Sequence, residues 1–353
     1  MNRRNLLAGA LGLAATPVLA QWTPEPTRTP SNRPPVAAPR FRALVPLPRA
    51  VQEIYPTVFD ARIIVAGGFE AQGADVKGLA DLAPTKSVWA FRPGSRSWDR
   101  LPELPVALHH PFLAGHQRGL WAIGGFTSSP GRIWQMERRT WILPRGGSAW
   151  QEGPPLPRPQ AEVVGGVVGG RLVIAGGRTP MEAANANYAD HGDTQDMWIL
   201  KEDGSGWKAG PRLPKGVNSA AADVLGGRLH MVGGRYSSGG QIINVDAHQV
   251  YDPATSSWRE GPALPAARGG LAAAVAGGRL FAMGGESFGA SPAVHADIFR
   301  FDPRTSAWDR VAELPTGLHG LGAVAVAGRV HVIGGAAQPG GRATTRTHLM
   351  FTP

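Results

Sequence analysis

Short apolar runs that end in a glycine pair set the rhythm of this chain. One is Arg279-Leu280-Phe281-Ala282-Met283 before Gly284-Gly285, and equivalent runs end at Gly67-Gly68, Gly124-Gly125, Gly176-Gly177, Gly233-Gly234 and Gly334-Gly335. Apolar runs of this length bounded by glycine predict buried strands. The first glycines of successive pairs stand 57, 52, 57, 51 and 50 residues apart, the size of one supersecondary repeat.

A tryptophan ahead of a Leu-Pro turn gives a second landmark. From Trp98, Trp150, Trp207, Trp258 and Trp308 to the next doublet the distance is 26 residues every time, whereas doublet to following tryptophan varies as 31, 26, 31, 25 and 24. Insertions are therefore confined to one segment of the repeat. Counting back 26 residues from Gly67 reaches Phe41, in Phe41-Arg-Ala-Leu-Val-Pro-Leu-Pro48, which repeats the aromatic-to-Leu-Pro pattern. No tryptophan follows the last doublet, and the segment His348–Pro353 matches the one just before Trp308. Residues 41–45 are thus expected to supply the strand that the last repeat lacks, which leaves no open edge.

Each repeat reads as four strands. The first follows the Leu-Pro turn, as in residues 270–276; a small pair such as Gly277-Gly278 turns into the second, which the doublet ends. The third carries an aromatic or aliphatic residue seven before the tryptophan (Phe91, Leu143, Leu200, Tyr251, Phe301), and the fourth carries the tryptophan. Doublet, aromatic, tryptophan and turn in fixed order resemble the kelch repeat over residues 41–353. The resemblance implies an all-β six-bladed kelch β-propeller, each blade a four-stranded antiparallel sheet, with the ring closed by the N-terminal strand. Glycines and tryptophans are then scaffold: the first for close backbone approach, the second for flat surfaces between twisted sheets.

Composition narrows the function classes. Hydrophobic residues make up 42% of the 353, enough for a large core, and a closed array can hold that many residues in one domain. The chain has no cysteine, which excludes disulfides, thiolate metal sites and thiol nucleophiles. The formal charge is +10, carried mostly by arginine, with only Lys77, Lys86, Lys201, Lys208 and Lys215 as lysines. The arginines are scattered, without a basic run or helix, so nucleic acid is not an expected partner. A positive field would instead favour acidic sugars or cell-wall polymers.

Residues 1–20 read as a signal peptide: Arg3-Arg4 at the start, an apolar run from Leu6 to Leu19, and Val18-Leu19-Ala20 before the cleavage point. Arg3-Arg4-Asn5-Leu6-Leu7 resembles the twin-arginine signal for folded cargo. Residues 21–40 hold six prolines and read as an extended linker. A periplasmic or secreted protein without a membrane anchor after cleavage is expected.

Candidate chemistry clusters where the repeats vary. The first strand's start and the second strand's end share one face, from which the variable loops leave. The fourth and fifth residues after each Leu-Pro are Gln52-Glu53, His109-His110, Ala161-Glu162, Asn218-Ser219, Gly269-Gly270 and His319-Gly320, with Arg268 one place earlier in its repeat. After the doublets come Phe69-Glu70, Phe126, Arg178, Arg235, Glu286 and Ala336. Together they predict a polar mouth around the axis, overhung by loops 69–87 and 178–195, the latter bringing Tyr188, Asp190, His191 and Asp193. Gln52, Glu53, His109, His110, Glu162, Arg178, Asn218, Arg235, Arg268 and His319 are the candidate ligand-binding residues, and Glu286 the candidate general acid or base. His109 and His319 with Glu53 or Glu162 give only a weak metal signal, so neither a metal nor a cofactor is expected.

The leading expectation is an exported propeller that binds a small sugar, a glycan, a wall fragment or a periplasmic protein. The alternative is a sugar isomerase: Glu286 after Gly284-Gly285 resembles the Gly-Glu element of the sialic acid mutarotase family. That resemblance implies an acid and an arginine acting in a central pocket. Residues 287–299 contain no arginine, so Arg235 or Arg268 would have to hold the sugar carboxylate. Copper radical chemistry of the galactose oxidase kind needs a tyrosine–cysteine crosslink and is disfavoured.

Overall fold

The computed structural model describes residues 40–129, 132–289 and 291–353. The expected signal peptide and the linker up to residue 39 lie outside the described residues; Arg40, the last linker position, opens the first strand, Arg40–Ala43.

The second strand of a repeat, strand b when the four are lettered a to d in chain order, shows why the sequence folds as it does. In Arg62–Ala66, Ile64 and Ala66 pack toward the second repeat while Ile63 and Val65 pack toward the sixth. Alternate side chains of a strand point to opposite faces, and here both faces meet another sheet, so the strand is apolar throughout. Six core clusters result, one at each junction between neighbouring repeats. Six antiparallel sheets ordered a-b-c-d are found among the described residues, five of four strands and one, in blade 5, with a short fifth strand, Ala293–Val294, paired to strand b. Blade 1 covers residues 57–100, blade 2 residues 112–152, blade 3 residues 164–209, blade 4 residues 221–260 and blade 5 residues 269–313. Blade 6 joins Gly322–Val326, Arg329–Ile333 and His348–Thr352 to the N-terminal strand, with Phe41 opposite Phe351 and Ala43 opposite Leu349. The molecule is a kelch β-propeller closed by its own amino-terminal strand, as the 26-residue interval predicts.

Two devices lock neighbouring blades. All twelve doublet glycines have positive φ, and the N–H of each second glycine donates to a carbonyl of the next blade. The acceptors of Gly68, Gly125, Gly177, Gly234, Gly285 and Gly335 are Leu108, Gln160, Val217, Arg268, Leu318 and Val51. The last of these completes the circle. A Cβ on Gly124 would lie 2.2 Å from the Gln160 carbonyl oxygen, which is why no side chain fits there. The tryptophans form the second device: the indole N–H groups of Trp98, Trp150, Trp207, Trp258 and Trp308 donate at 2.8–3.1 Å to Val45, Pro102, Pro154, Pro211 and Pro262 of the preceding blade. Phe41 has no such donor, so the closing strand is held by its ladder and by the Phe41–Phe351 ring contact at 5.6 Å. One expectation needs correcting. In blade 5 the doublet does not end strand b, which runs on from Arg279 to Ser287.

Candidate functional site

The two sequence lists turn out to be two sides of one ladder. Each fourth residue after Leu-Pro pairs across the strand gap with the residue that follows a doublet: Gln52 with Phe69, His109 with Phe126, Ala161 with Arg178, Asn218 with Arg235, Gly269 with Glu286, and His319 with Ala336. Beyond this level the b–c loops fold back as small hairpins, such as Phe69–Ala71 with Leu82–Pro84 and Arg235–Ser238 with Gln241–Asn244. They form a crown over one end of the axis.

The fifth residues form an inner ring of left-handed backbone. Glu53, His110, Glu162 and Ser219 have φ of 56°, 54°, 55° and 49°, and Gly270 and Gly320 have 63° and 56°. A non-glycine residue held there costs about 1 kcal/mol, and such strain gathers where it aims side chains at a site. Backbone bonds link parts of this ring: His110 N–H to Glu53 O, Glu53 N–H to Gly320 O, Gly320 N–H to Gly270 O, and Gly270 N–H to Ser219 O.

A cavity of about 330 Å³ opens above the ring. Its polar floor is Gln52, Glu53, His110, Glu162, Arg235, Glu286 and His319, and its walls include Phe69, Trp134, Tyr188 and Phe288. Below it, a narrow axial channel of about 70 Å³ is lined mainly by small and apolar residues, with Glu53 touching both spaces.

Proton counting fixes much of the floor. His109 Nε2 lies 2.6 Å from the Ile133 carbonyl, which can only accept, so Nε2 carries the hydrogen. Burial, together with the neighbouring His110, pushes the His109 pKa well below its ordinary value, so Nδ1 is a bare acceptor for the Nδ1–H of His110 at 2.6 Å. His110 Nε2 then faces Glu53 Oε2 at 2.9 Å, an approach that requires a second proton between them. Burial alone would raise the Glu53 carboxyl; the positive charge beside it, that of His110 first, holds it at about 2 instead. The Glu53–His110 pair with its shared proton is therefore neutral overall.

A second pair sits across the floor. Arg235 Nη1 donates to Glu286 Oε1 at 2.8 Å, and Arg235 Nε donates to Asn218 Oδ1 at 3.3 Å. Burial disfavours the Arg235 cation, but Glu286 and Glu162 raise its proton affinity above the ordinary value. His319 bridges the two pairs. Its Nε2 donates to Gln338 O at 2.9 Å, and Nδ1 faces Glu286 Oε1 at 3.5 Å and Glu53 Oε1 at 3.8 Å. Glu162 accepts the Ser219 hydroxyl at 2.5 Å.

The structure thus gathers Gln52, Glu53, His110, Glu162, Arg235, Glu286 and His319 at one cavity. It places four predicted ligand-binding residues elsewhere. His109 is sandwiched between Phe69 and Phe126 behind His110, because its neighbour takes the inward-facing left-handed position. Asn218 is turned to Arg235 and to Asp193. Arg178 stacks behind Tyr188, 3.7 Å from the ring centroid, and donates to the Tyr188 and His191 carbonyls. Arg268 lies one residue before the ladder and is buried against Phe299, donating to Gly284 O and Asp297. Of the loop residues, Tyr188 reaches the cavity, while Asp190 accepts from Ala186 and Asn187 N–H within its own turn and Asp193 ties the loop to Asn218 and Ser237. Among the described residues no three His, Asp or Glu side chains converge as a metal site. Sequence reasoning missed Trp134 and Phe288, whose signal was an aromatic residue within a variable b–c loop.

Comparison with known proteins supports the fold. Residues 216–265 and 267–315 match models of the Kelch motif. The solved structure of YjhT superposes with a TM-score of 0.71, covering 86% of this chain and 95% of that one at 16% identity. Among curated proteins, alpha-scruin of Limulus polyphemus is 23% identical over 58% of this chain, and the Kelch-like protein terF of Aspergillus terreus is 23% identical over the same share. Human Kelch repeat and BTB domain-containing protein 13 is 32% identical over 45% of the chain. The alignments span 22%, 44% and 33% of those relatives' own lengths, so less than half of each is matched.

Proposed function

We propose that this propeller is an exported binding protein that takes a small carbohydrate, of mono- or disaccharide size, into its mouth cavity. The observation that carries the reading is the cavity of about 330 Å³ with aromatic walls and a floor of carboxylates, imidazoles and one guanidinium. That volume falls at the lower end of ligand pockets, roughly 300–1,000 Å³. Apolar sugar faces lie against aromatic rings, and hydroxyls exchange water for the buried polar floor. The floor argues against acidic sugars, although the chain's net charge suggests them. Arg235 is already engaged by Glu286, and Arg178 and Arg268 face away from the cavity. A thermal-shift series tests the reading, since a ligand that binds only the folded chain raises its melting temperature by mass action. Neutral mono- and disaccharides at millimolar concentration are expected to raise the melting temperature, and glucuronate is not. No shift with any saccharide would remove the reading.

A second reading, a sugar mutarotase, draws support from one feature. Glu286 Oε2 is buried at the cavity without a hydrogen-bond partner, opposite the proton-sharing Glu53–His110 pair. Ring opening and closing of an aldose needs one group to take a proton and another to give one. Saturation-transfer NMR is expected to show faster anomer exchange with catalytic protein, lost in Glu286→Gln. Exchange no faster than in buffer, for every sugar that binds, would end this reading while leaving the binding function in place.

A further inference from the structure

The unmet hydrogen bonds of the cavity specify the ligand more closely than its shape does. Among the lining side chains, the buried polar atoms without a partner are Gln52 Oε1, Glu286 Oε2 and His319 Nδ1. The Glu286 and His319 assignments do not depend on amide orientation. A carboxylate oxygen accepts, and with the Nε2 hydrogen of His319 spent on Gln338 O, a ring carrying a single proton has Nδ1 free to accept. Glu286 and His319 are 3% and 1% exposed, so these atoms meet little of the bulk solvent. His319 Nδ1 also stands 3.5 Å from one carboxylate and 3.8 Å from another, beyond the reach of a good hydrogen bond. Acceptors therefore converge with no hydrogen among them.

The charges point the same way. The cavity is lined by three glutamates, Glu53, Glu162 and Glu286, against one arginine, Arg235, and the proton shared by Glu53 and His110. One carboxylate is left in excess. Arg178 is the next cation, but Tyr188 stands between it and the cavity, and its donated bonds go to backbone carbonyls. A guest that supplies both hydrogens and a positive charge completes this floor, and aromatic walls add attraction for a cation.

We propose that the mouth selects a sugar carrying a protonated amine, with the ammonium seated against Glu286 Oε2 and His319 Nδ1. This rests on the carbohydrate reading above and narrows it to amino sugars.

The test is titration calorimetry on the folded wild-type protein near neutral pH with glucosamine, N-acetylglucosamine, glucose, glucuronate and butylamine. Glucosamine is expected to bind about tenfold or more tighter than glucose or N-acetylglucosamine, because charge-assisted hydrogen bonds replace neutral ones. Glu286→Gln, which keeps an acceptor for Arg235, is expected to bring glucosamine to within about threefold of glucose, with its melting temperature confirming the fold. Equal binding of glucosamine and glucose would overturn the amine proposal and leave the carbohydrate reading standing. Butylamine binding as tightly as glucosamine, with glucose silent, would retain the amine and remove the carbohydrate. Tightest binding by glucuronate, or a His319 already doubly protonated by nitrogen NMR in the free protein, would also overturn the proposal. Silence from every probe would end both readings.

Discussion

Between pH 6.5 and pH 4 the propeller is expected to lose stability steeply, through histidines far from the mouth. His230 Nδ1 donates to His248 Nε2 at 2.9 Å, and His248 Nδ1–H ends on Pro262 O at 3.1 Å. Blade 6 repeats the device: His331 to His348 at 3.0 Å, then Val45 O at 2.9 Å. Both terminal carbonyls also accept a tryptophan indole from the next blade, Trp308 and Trp98. Burial holds His230, His248 and His331 at about 4 and lowers His348 as well. The unfolded chain takes up protons below about 6.5, whereas the fold resists them until about 4, so stability is complete above that window and falls through it. Each proton of difference costs about 1.4 kcal/mol per pH unit. The three histidines held at about 4 thus erode several kcal/mol across the window, a large share of a domain's roughly 5–15 kcal/mol. Glu53 acts lower: held at about 2, it contributes fully above the unfolded carboxylate range and is lost only as pH falls toward 2. Melting temperatures measured from pH 8 to pH 4 should bend downward near 6.5, and His230→Gln should soften the slope. A flat profile to pH 4.5 would refute the account.

Arg235→Met is expected to destabilise the fold by about 3–5 kcal/mol, the cost of stranding one partner of a buried ion pair. Glu286 would lose its one side-chain donor in a pocket only 3% exposed, leaving neither oxygen hydrogen-bonded by a side chain. The double variant Arg235→Met with Glu286→Leu should recover most of the loss, since a pair removed together leaves no orphan charge. Denaturant midpoints of the four proteins complete the cycle. Additive losses in the double variant would show that the two side chains stabilise the fold independently.

The scaffold was legible because it is periodic. Doublets, tryptophans and Leu-Pro turns recur at intervals that a strand count can use, and the position of Phe41 follows from a single ruler. Even the level of the site was legible, since residues after the Leu-Pro turns and after the doublets had to share a face. Side-chain direction was not. His109 and His110 differ by one residue, but the left-handed turn at the second swings it to the cavity and leaves the first sandwiched between Phe69 and Phe126. Glutamate, histidine and serine give no composition signal for φ near +50°, as glycine would. Arg268 misled for the related reason that one step along a strand reverses the face. The histidine relays did leave a trace, in the spacings of His230 to His248 and His331 to His348 one hundred residues apart. It acquires meaning only when strands b and c lie side by side.

Closure by the amino-terminal strand also orders events during synthesis. Arg40–Ala43 is made before the other strands of the ring, yet its partner His348–Thr352 is made after them. No blade-by-blade sequence can finish the ring before that partner is made, and until then the early strand keeps an unpaired edge. The loop-closure penalty grows only logarithmically with the intervening chain, so the pairing is slow rather than unfavourable. The same register can also be satisfied by the first strand of a second copy. At high local concentration the final step of folding is therefore in competition with strand exchange between two chains.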